Sequence, residues 1–299
     1  MDRIETDNSA PAVETVVEPR TRDLGDFEVK RVLPASQQRM VGSFVFLDQM
    51  GPTVISAGKG MDVRPHPHIG LATVTYLYQG SIVHRDSLGV VQPITPGDVN
   101  WMTAGRGIVH SERSGEEARK LDQAMFGLQF WVGLPRDKEE MAPAFKHYPK
   151  AELPELGGEG IEARIVAGSL FDKTAPVATE SDLFLADIAL ASKARLALDP
   201  EHEERAAYVL GGEISVGGTD YRPGQMLVFS PGRQVVIEAK SDAKFVVLGG
   251  EPMDGPRHLY WNFVSSRKER IEQAKEDWRN GRFETIPGDD VEFIPLPED

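Results

Sequence analysis

The sequence contains no cysteine, and this absence limits its chemistry more than any other feature of its composition. Disulfide bonds, thiolate metal sites and cysteine nucleophiles are all excluded. A metal ion would have to be bound by imidazole or carboxylate groups, and only seven histidines are available to supply the imidazoles. The spacing of the histidines is therefore the first pattern to consider.

An excess of positive charge and long apolar segments are also missing. The formal net charge of −14 argues against unaided binding to nucleic acid phosphates or to an anionic membrane surface. No run of about 18 apolar residues is present. The acidic, proline-containing N-terminus lacks the apolar core of a secretory leader. We therefore expect a cytoplasmic protein in which residues 1–22 form a flexible tail.

Short β-type segments alternate with glycine and proline along most of the chain, which predicts an all-β protein built from sandwiches or barrels. Composition divides it into a first β domain over residues 23–135, a charged, proline- and glycine-rich linker over 136–160, and a second β domain over 161–299. The predicted strands are 27–33, 44–47, 73–78, 81–86, 90–94, 98–102 and 128–134, followed by 161–167, 183–190, 194–198, 207–210, 213–216, 226–229, 234–238 and 244–248.

One helix is predicted near the C-terminus. Ser266 and Glu269 form a capping-box pattern, and apolar residues follow at helical spacing from Ile271 to Trp278. Gly281 stands where a helix C-terminus favours glycine. We expect this helix to have a packing role.

The two β domains resemble each other in sequence. The segment Tyr76–Ile82 is similar to Tyr208–Ile214, and each domain has a Pro-Gly pair followed eight residues later by another glycine. Matched spacing at two places favours duplication of one β-barrel.

Four potential metal ligands occur in two pairs in the first domain. His66 and His68 are two residues apart, as are His110 and Glu112, and residues at this spacing on a strand point to the same face. If the two segments are neighbouring strands, three imidazoles and one carboxylate converge on one ion. This ligand set suits Fe(II), Mn(II), Ni(II), Cu(II) or Zn(II), with positions left open for water, substrate or O₂.

The second domain lacks this set. The repeat places Leu198 and Pro200 opposite the first histidine pair, and Ile237 and Ala239 opposite His110 and Glu112. The nearby His202 lies in a charged run typical of a solvated loop. The sequence thus predicts one metal-binding domain and one that packs, shapes or regulates.

Two longer motifs surround the ligand pairs. Arg64–His68 reads Arg-Pro-His-Pro-His, and Trp101–Glu112 reads Trp-Met-Thr-Ala-Gly-Arg-Gly-Ile-Val-His-Ser-Glu. Over about residues 23 to 285 the chain resembles the pirin family of the cupin superfamily. It has the first cupin motif from Gly60 to His68, but Ala72 and Thr73 stand where that motif usually has a glutamate, a departure that pirins share.

The resemblance implies two tandem cupin (jelly-roll) β-barrels that face each other, with a C-terminal helix and a metal in the first barrel only. It implies the ligands His66, His68, His110 and Glu112. Fe(II) is the implied native metal, and Mn, Ni, Cu or Zn could take its place. Some pirins degrade quercetin as 2,3-dioxygenases, whereas others are iron- or redox-responsive partners of transcription factors or bind metabolic enzymes.

Three functions follow from this resemblance as hypotheses. The leading one is a quercetin 2,3-dioxygenase-type oxidoreductase that acts with O₂ on a flavonol or similar enolisable aromatic substrate, with Glu112 as both ligand and base. The alternatives are a non-enzymatic iron- or redox-responsive regulator that binds a protein partner, and a cupin isomerase or other small-molecule enzyme with a different metal. For the apolar members of the candidate substrate-binding set, core packing is the other interpretation. The candidate residues are Phe44, Phe46, Asp48, Met50, Trp101, Arg106, Met125 and Phe126.

Overall fold

The computed structural model describes residues 11–23 and 27–298. The described chain is mostly β-structure and forms two compact units, named here the first and the second barrel. The first barrel contains the described residues of Thr21–Arg31, then Phe46–Lys150 and the chain from Asp254 onward. The second barrel contains the described residues up to Arg20, then Val32–Val45 and Ala151–Met253.

The elements follow one another in chain order. The strands of the first half are β1 (Val13–Val17), β2 (Arg20–Asp23), β3 (Glu28–Leu33), β4 (Phe44–Ile55), β5 (Asp62–His68), β6 (Leu71–Gln79), β7 (Ile82–Asp86), β8 (Val91–Ile94), β9 (Val99–Thr103), β10 (Ile108–Arg113), β11 (Gln123–Gly133) and β12 (Ala144–Tyr148). The second half contains β13 (Glu155–Gly158), β14 (Ile161–Leu170), β15 (Lys173–Thr174), β16 (Leu183–Leu190), β17 (Arg195–Leu198), β18 (Glu204–Gly211), β19 (Ile214–Val216), β20 (Thr219–Tyr221), β21 (Met226–Phe229), β22 (Val235–Ala239), β23 (Ala243–Gly250), β24 (His258–Tyr260), β25 (Phe263–Ser265) and the helix α1 (Lys268–Arg279). Short 3-10 helices cover Ala118–Lys120 and Lys150–Glu152.

Two large sheets and a small one, in which β24 pairs with β25, form the first barrel. In its described residues one large sheet has the strand order β12-β9-β6-β11-β4-β3-β2 and the other has the order β5-β10-β7-β8. Side chains of the two large sheets meet inside, where the Thr75 hydroxyl on β6 bonds the Glu112 carboxylate on β10. Seven buried apolar side chains form one core cluster, made of Val29, Met50, Met61, Leu77, Ile82, Ile94 and Met125. Alternation along each strand thus directs one face inward.

The second barrel repeats this plan with different interior residues. Its described strands form one sheet of order β1-β21-β18-β23-β16-β14-β13, with β15 paired to β14, and a second sheet of order β17-β22-β19-β20. Arg205 is fully buried here, and its guanidinium donates hydrogen bonds to the backbone carbonyl groups of Leu198, Asp199, Ser230 and Arg233. Hydrogen bonds to four carbonyl groups offset much of the cost of burying this cation, which indicates a structural role.

The all-β fold predicted from the sequence is confirmed, and each predicted strand has a counterpart within a few residues, although several run further than predicted. The prediction of a flexible tail over residues 1–22 is wrong for its described part. Residues 13–17 form β1, which pairs with β21 from Val13 opposite Phe229 to Val17 opposite Met226. The Ser230 hydroxyl also donates to the Pro11 carbonyl. Residues 1–10 lie outside the described residues.

The predicted linker over residues 136–160 is wrong as well, because it contains two paired strands. Strand β12 pairs with β9 of the first barrel, and β13 pairs with β14 of the second. The division between the two units falls at Lys150 and Ala151. Proline and glycine interrupt the strands here but do not prevent backbone pairing on either side.

The assignment of all residues after 161 to the second domain is also corrected, since the chain from Asp254 onward belongs to the first barrel. The predicted helix is present as α1, and Gly281 follows it with a φ of +63°. The capping box is not formed, because the N-cap is Arg267 and the Ser266 hydroxyl donates to buried Glu139 instead. None of the helices in residues 11–23 and 27–298 is long and apolar enough to cross a membrane.

Candidate metal centre

Three histidine side chains meet inside the first barrel. Strands β5 and β10 are antiparallel neighbours that place His110 opposite His66 and Ile108 opposite His68. The ring centroids are 4.4 Å apart for His66 and His110, and 5.0 Å apart for each of the other two pairs. One ring nitrogen from each histidine lies within 4.8 Å of the other two, so this buried triad could bind a metal ion.

Hydrogen bonds at Nδ1 orient two of these rings and leave the lone pair on Nε2. The Nδ1 of His66 lies 2.8 Å from the Arg64 carbonyl oxygen, and the Nδ1 of His68 lies 3.1 Å from the Asn262 carbonyl oxygen. Because a carbonyl oxygen can only accept, both Nδ1 atoms carry the proton and both Nε2 atoms keep a lone pair. The Nε2 of His68 faces the Nε2 of His110 at 3.1 Å. This donor set fits a divalent metal.

Burial keeps the triad uncharged. Loss of solvent lowers the pKa of His66 to about 4. Burial, together with the neighbouring imidazoles, holds the pKa values of His68 and His110 well below the usual range. Neutral imidazole is the form that binds a metal, so the protein environment prepares these side chains for coordination.

The structure places the Glu112 carboxylate outside this cluster. Glu112 is buried on β10, and its Oε1 accepts a hydrogen bond of 2.9 Å from the Thr75 hydroxyl. The pairing of β10 with β5 shifts by one residue between His110 and Glu112. Burial raises the pKa of Glu112. The three histidines are therefore brought together as a group, and coordination by Glu112 stays a prediction.

An aromatic wall stands beside His68. The Trp131 ring lies 5.1 Å from the His68 ring in an edge-on arrangement, and Phe46 stacks on Trp131 at 3.8 Å. The Arg31 guanidinium sits 4.5 Å above Phe46 and forms a bidentate pair with Asp48 at 2.9 and 2.8 Å. Two of the proposed substrate residues, Phe46 and Asp48, are thus linked to the histidines through Trp131.

The other proposed substrate residues have different surroundings. Met50 and Met125 belong to the apolar core cluster of the first barrel, so they fill the interior. Phe126 is half-buried, with its ring 4.9 Å from that of Tyr78. Trp101 is buried on β9, Arg106 is exposed in the turn after it, and Phe44 is fully buried in the second barrel. The structure does not group these residues with the histidines.

Several residues near the triad were not predicted from the sequence. Thr75 bonds Glu112, the Asn262 carbonyl bonds His68, and the His84 ring lies 5.3 Å from that of His110 and stacks on Phe145 at 4.3 Å. One of them had a readable signal, since His84 and Asp86 are two residues apart on a strand, as His66 and His68 are. No sequence signal places Asn262 near the triad, because it lies 194 residues from His68 along the chain.

The second barrel has apolar residues at the corresponding positions. Leu198, Ile237 and Ala239 are fully buried there, and no group of three histidine or acidic side chains suited to a metal occurs in its described residues. His202 is 7% exposed and lies against Phe184, so the prediction that it is solvated is wrong. The Phe184 ring covers the imidazole at a centroid distance of 4.8 Å.

Comparison with known families agrees with this arrangement. The family model of pirin matches residues 26–132, and that of the pirin C-terminal cupin domain matches residues 185–284. The chain belongs to the pirin family. It is 50% identical to a pirin-like protein of Caulobacter vibrioides, over 96% of this chain and 100% of the relative.

Two solved structures are similar to this chain over nearly its whole length. A crystal structure of quercetin 2,3-dioxygenase from Acinetobacter baumannii has a TM-score of 0.88 and 35% identity, with 95% of each chain covered. A second quercetin 2,3-dioxygenase structure from that organism has a TM-score of 0.85 and 29% identity, over 92% of this chain and 99% of the other. The expectation of two cupin domains is confirmed by these similarities.

Proposed function

We propose that this pirin is a metal-dependent oxidoreductase of the quercetin 2,3-dioxygenase type, acting with O₂ on a flavonol or a similar enolisable aromatic substrate. The observation that carries the proposal is the buried triad of neutral histidines, two of which have Nδ1 bound to a carbonyl oxygen and Nε2 free. The similarity to the Acinetobacter baumannii enzymes named quercetin 2,3-dioxygenase supports this choice of reaction.

His66, His68 and His110 would bind the ion, with Glu112 as a fourth ligand. A bound Fe(II), or Mn, Ni, Cu or Zn in its place, would supply a Lewis acid, and a redox-active ion would also supply electrons for the reaction with O₂. The Glu112 carboxylate would accept the proton of a substrate hydroxyl, so that the O–H bond of the substrate breaks and a carboxyl O–H bond forms. The Thr75 hydroxyl holds this carboxylate inside the barrel.

The substrate would rest against the aromatic wall. Trp131 lies beside His68 with Phe46 stacked on it, and an aromatic surface of this kind suits a planar aromatic compound. Both side chains are less than a tenth exposed, so they also exclude water from the reacting atoms. Arg31 and Asp48 bind each other behind this wall and hold it in place.

Oxygen consumption and flavonol loss test the activity. Protein loaded anaerobically with Fe(II) should consume O₂ and bleach the flavonol absorption after air is admitted, and Glu112→Gln should slow both without loss of folding. Loaded protein that does neither contradicts the dioxygenase proposal. A change in binding of a protein partner on Glu112→Gln, without any turnover in the unsubstituted protein, would favour the regulator.

Metal content tests the site separately from the activity. His66→Ala should lower the metal bound per chain, because it removes one of three buried imidazoles. His202→Ala, which removes a buried histidine from the second barrel, is the matched control and should leave metal content unchanged. Stoichiometric metal in His66→Ala would contradict the proposed ligand set.

A further inference from the structure

Two side chains on β7 extend the contacts of His110 away from the cluster. The Nδ1 of His110 lies 3.4 Å from the Nδ1 of His84, and the Nε2 of His84 lies 2.9 Å from Oδ2 of Asp86. Asp86 is completely buried and His84 is 2% exposed. The register of β10 with β7 sets this geometry, because it places His110 directly opposite Asp86.

His110 differs from the other two histidines in what fixes its proton. The Nδ1 atoms of His66 and His68 face carbonyl oxygens, which can only accept. His110 faces another imidazole, and an imidazole nitrogen either donates or accepts. The contact with His84 alone therefore leaves open whether the Nε2 of His110 is free to bind a metal.

Asp86 resolves this ambiguity. Its Oδ1 accepts the backbone N–H groups of Leu88 at 2.9 Å and Val90 at 3.1 Å, which orients the carboxylate, and its Oδ2 faces His84. A carboxylate can only accept, so the Nε2 of His84 must carry the proton and its Nδ1 must hold the lone pair. That lone pair accepts the proton on the Nδ1 of His110, in competition with the lone pair on the Nε2 of His68, which lies 3.1 Å from the Nε2 of His110. With its proton on Nδ1, His110 keeps a lone pair on Nε2 inside the cluster.

We propose that Asp86 and His84 are positioning residues that hold His110 in the tautomer able to bind a metal. The inference rests on the proposed metal site and adds two residues behind it, whose hydrogen-bonded contact with the triad is made through His110. Phe145 stabilises the arrangement, because its ring stacks on His84 at 4.3 Å with an interplanar angle of 20°. Partners of this kind orient a ligand and raise its affinity for the metal.

The substitution Asp86→Asn reverses the chain of hydrogen bonds with almost no change in shape. The backbone N–H groups of Leu88 and Val90 need an oxygen, so the amide nitrogen must face His84. Two donors would then face each other unless the His84 proton moves to Nδ1. That proton would in turn meet the Nδ1 proton of His110 and drive it to Nε2, where it blocks coordination. We expect cobalt(II) affinity to fall by about tenfold or more.

Two measurements test the inference. Long-range ¹⁵N–¹H NMR of the metal-free protein should show His110 protonated on Nδ1 and His84 on Nε2, and Asp86→Asn should move both protons. Cobalt(II) titration, followed by visible absorption, should show the weaker binding and an altered ligand-field spectrum. The control is Asp98→Asn, because Asp98 also accepts backbone N–H groups in a loop, from Thr95 and Lys150, but has no link to the triad.

The outcomes separate this inference from the proposed function. A metal-free protein with the His110 proton on Nε2, or with His84 protonated on both nitrogens, overturns the inference without any variant. Equal cobalt affinity for the unsubstituted protein and Asp86→Asn overturns it as well, while the proposed function stands. If the unsubstituted protein binds no cobalt, both are overturned.

Discussion

Gly70 illustrates how single residues control the surroundings of the triad. It lies two positions after His68 with a φ of +67°, and a Cβ atom there would overlap the carbonyl oxygen of Val264 in β25. The same hairpin segment supplies the Asn262 carbonyl that orients His68. A side chain at position 70 would therefore push away the chain that fixes this ligand.

We expect Gly70→Ala to destabilise the protein and to weaken metal binding. The control is Gly58→Ala, because Gly58 also has a positive φ, +81°, but a Cβ atom there would meet nothing within 4 Å. Backbone strain alone should cost about 1 kcal/mol in both variants. Urea denaturation should show a clearly larger decrease in the free energy of unfolding for Gly70→Ala than for Gly58→Ala. Cobalt titration should show weaker binding for Gly70→Ala only. Equal losses would mean that contact with Val264 is unimportant.

At the scale of elements, a C-terminal strap, residues Asp289–Ile294, lies across the two strands that carry the histidines. Asp289 accepts hydrogen bonds from the Ser111 hydroxyl at 2.7 Å and from the Arg113 guanidinium at 2.9 Å, both on β10. The Ile294 N–H donates to the Pro65 carbonyl on β5 at 2.8 Å. These contacts flank His66 and His110, so the strap holds β5 and β10 in the register that the metal site needs.

The contacts of the Asp289 carboxylate with β10 should weaken at acid pH. Burial alone would raise the pKa of Asp289, but hydrogen bonds from Arg113 and Ser111 outweigh it and lower the pKa below the usual 3.8. A carboxylate with a depressed folded-state pKa stabilises above its unfolded pKa, and this contribution disappears as pH falls through the folded value. Asp289→Asn should thus lower the free energy of unfolding by about 1 kcal/mol at pH 7, and this loss should shrink as the pH falls below the usual carboxyl pKa of 3.8.

Urea denaturation at a series of pH values measures this difference. Asp290→Asn is the matched control, because Asp290 is the exposed neighbour of Asp289. A penalty for Asp289→Asn that does not change with pH would show that charge at position 289 does not hold the strap.

The elements differ in how far the sequence could predict them. Strands such as Leu183–Leu190 and Met226–Phe229 were predictable to the residue, because a short, mostly apolar run bounded by polar or turn residues is a local signal. The pairing of β1 with β21 and the bond from Asn262 to His68, 194 residues apart, were not, since no local pattern encodes a partner so distant. For the same reason His66, His68 and His110 could be predicted as a group, but Thr75 could not be predicted as the partner of Glu112.

On the scale of the whole molecule, the two barrels share a plan but differ in their interior residues. The first barrel has a histidine triad, and the second has buried Leu198, Ile237 and Ala239 at the positions that the sequence repeat aligns with ligands of the first. Each barrel is completed by a distant part of the chain, since the described residues up to Arg20 belong to the second and those from Asp254 onward belong to the first. The first barrel therefore depends on both the middle and the end of the chain for its metal site.

This division predicts a stoichiometry of one metal per chain, which an engineered histidine in the second barrel should not change. Ile237→His places one imidazole opposite the position of His110, but Leu198 and Ala239 supply no further ligands, so elemental analysis should still give one metal per chain. The variant should also unfold at a lower temperature, because Ile237 is fully buried and a polar ring there would lack hydrogen-bond partners. Two metals per chain, in either the unsubstituted protein or the variant, would mean that the second barrel binds metal through residues that neither the repeat nor the geometry identifies.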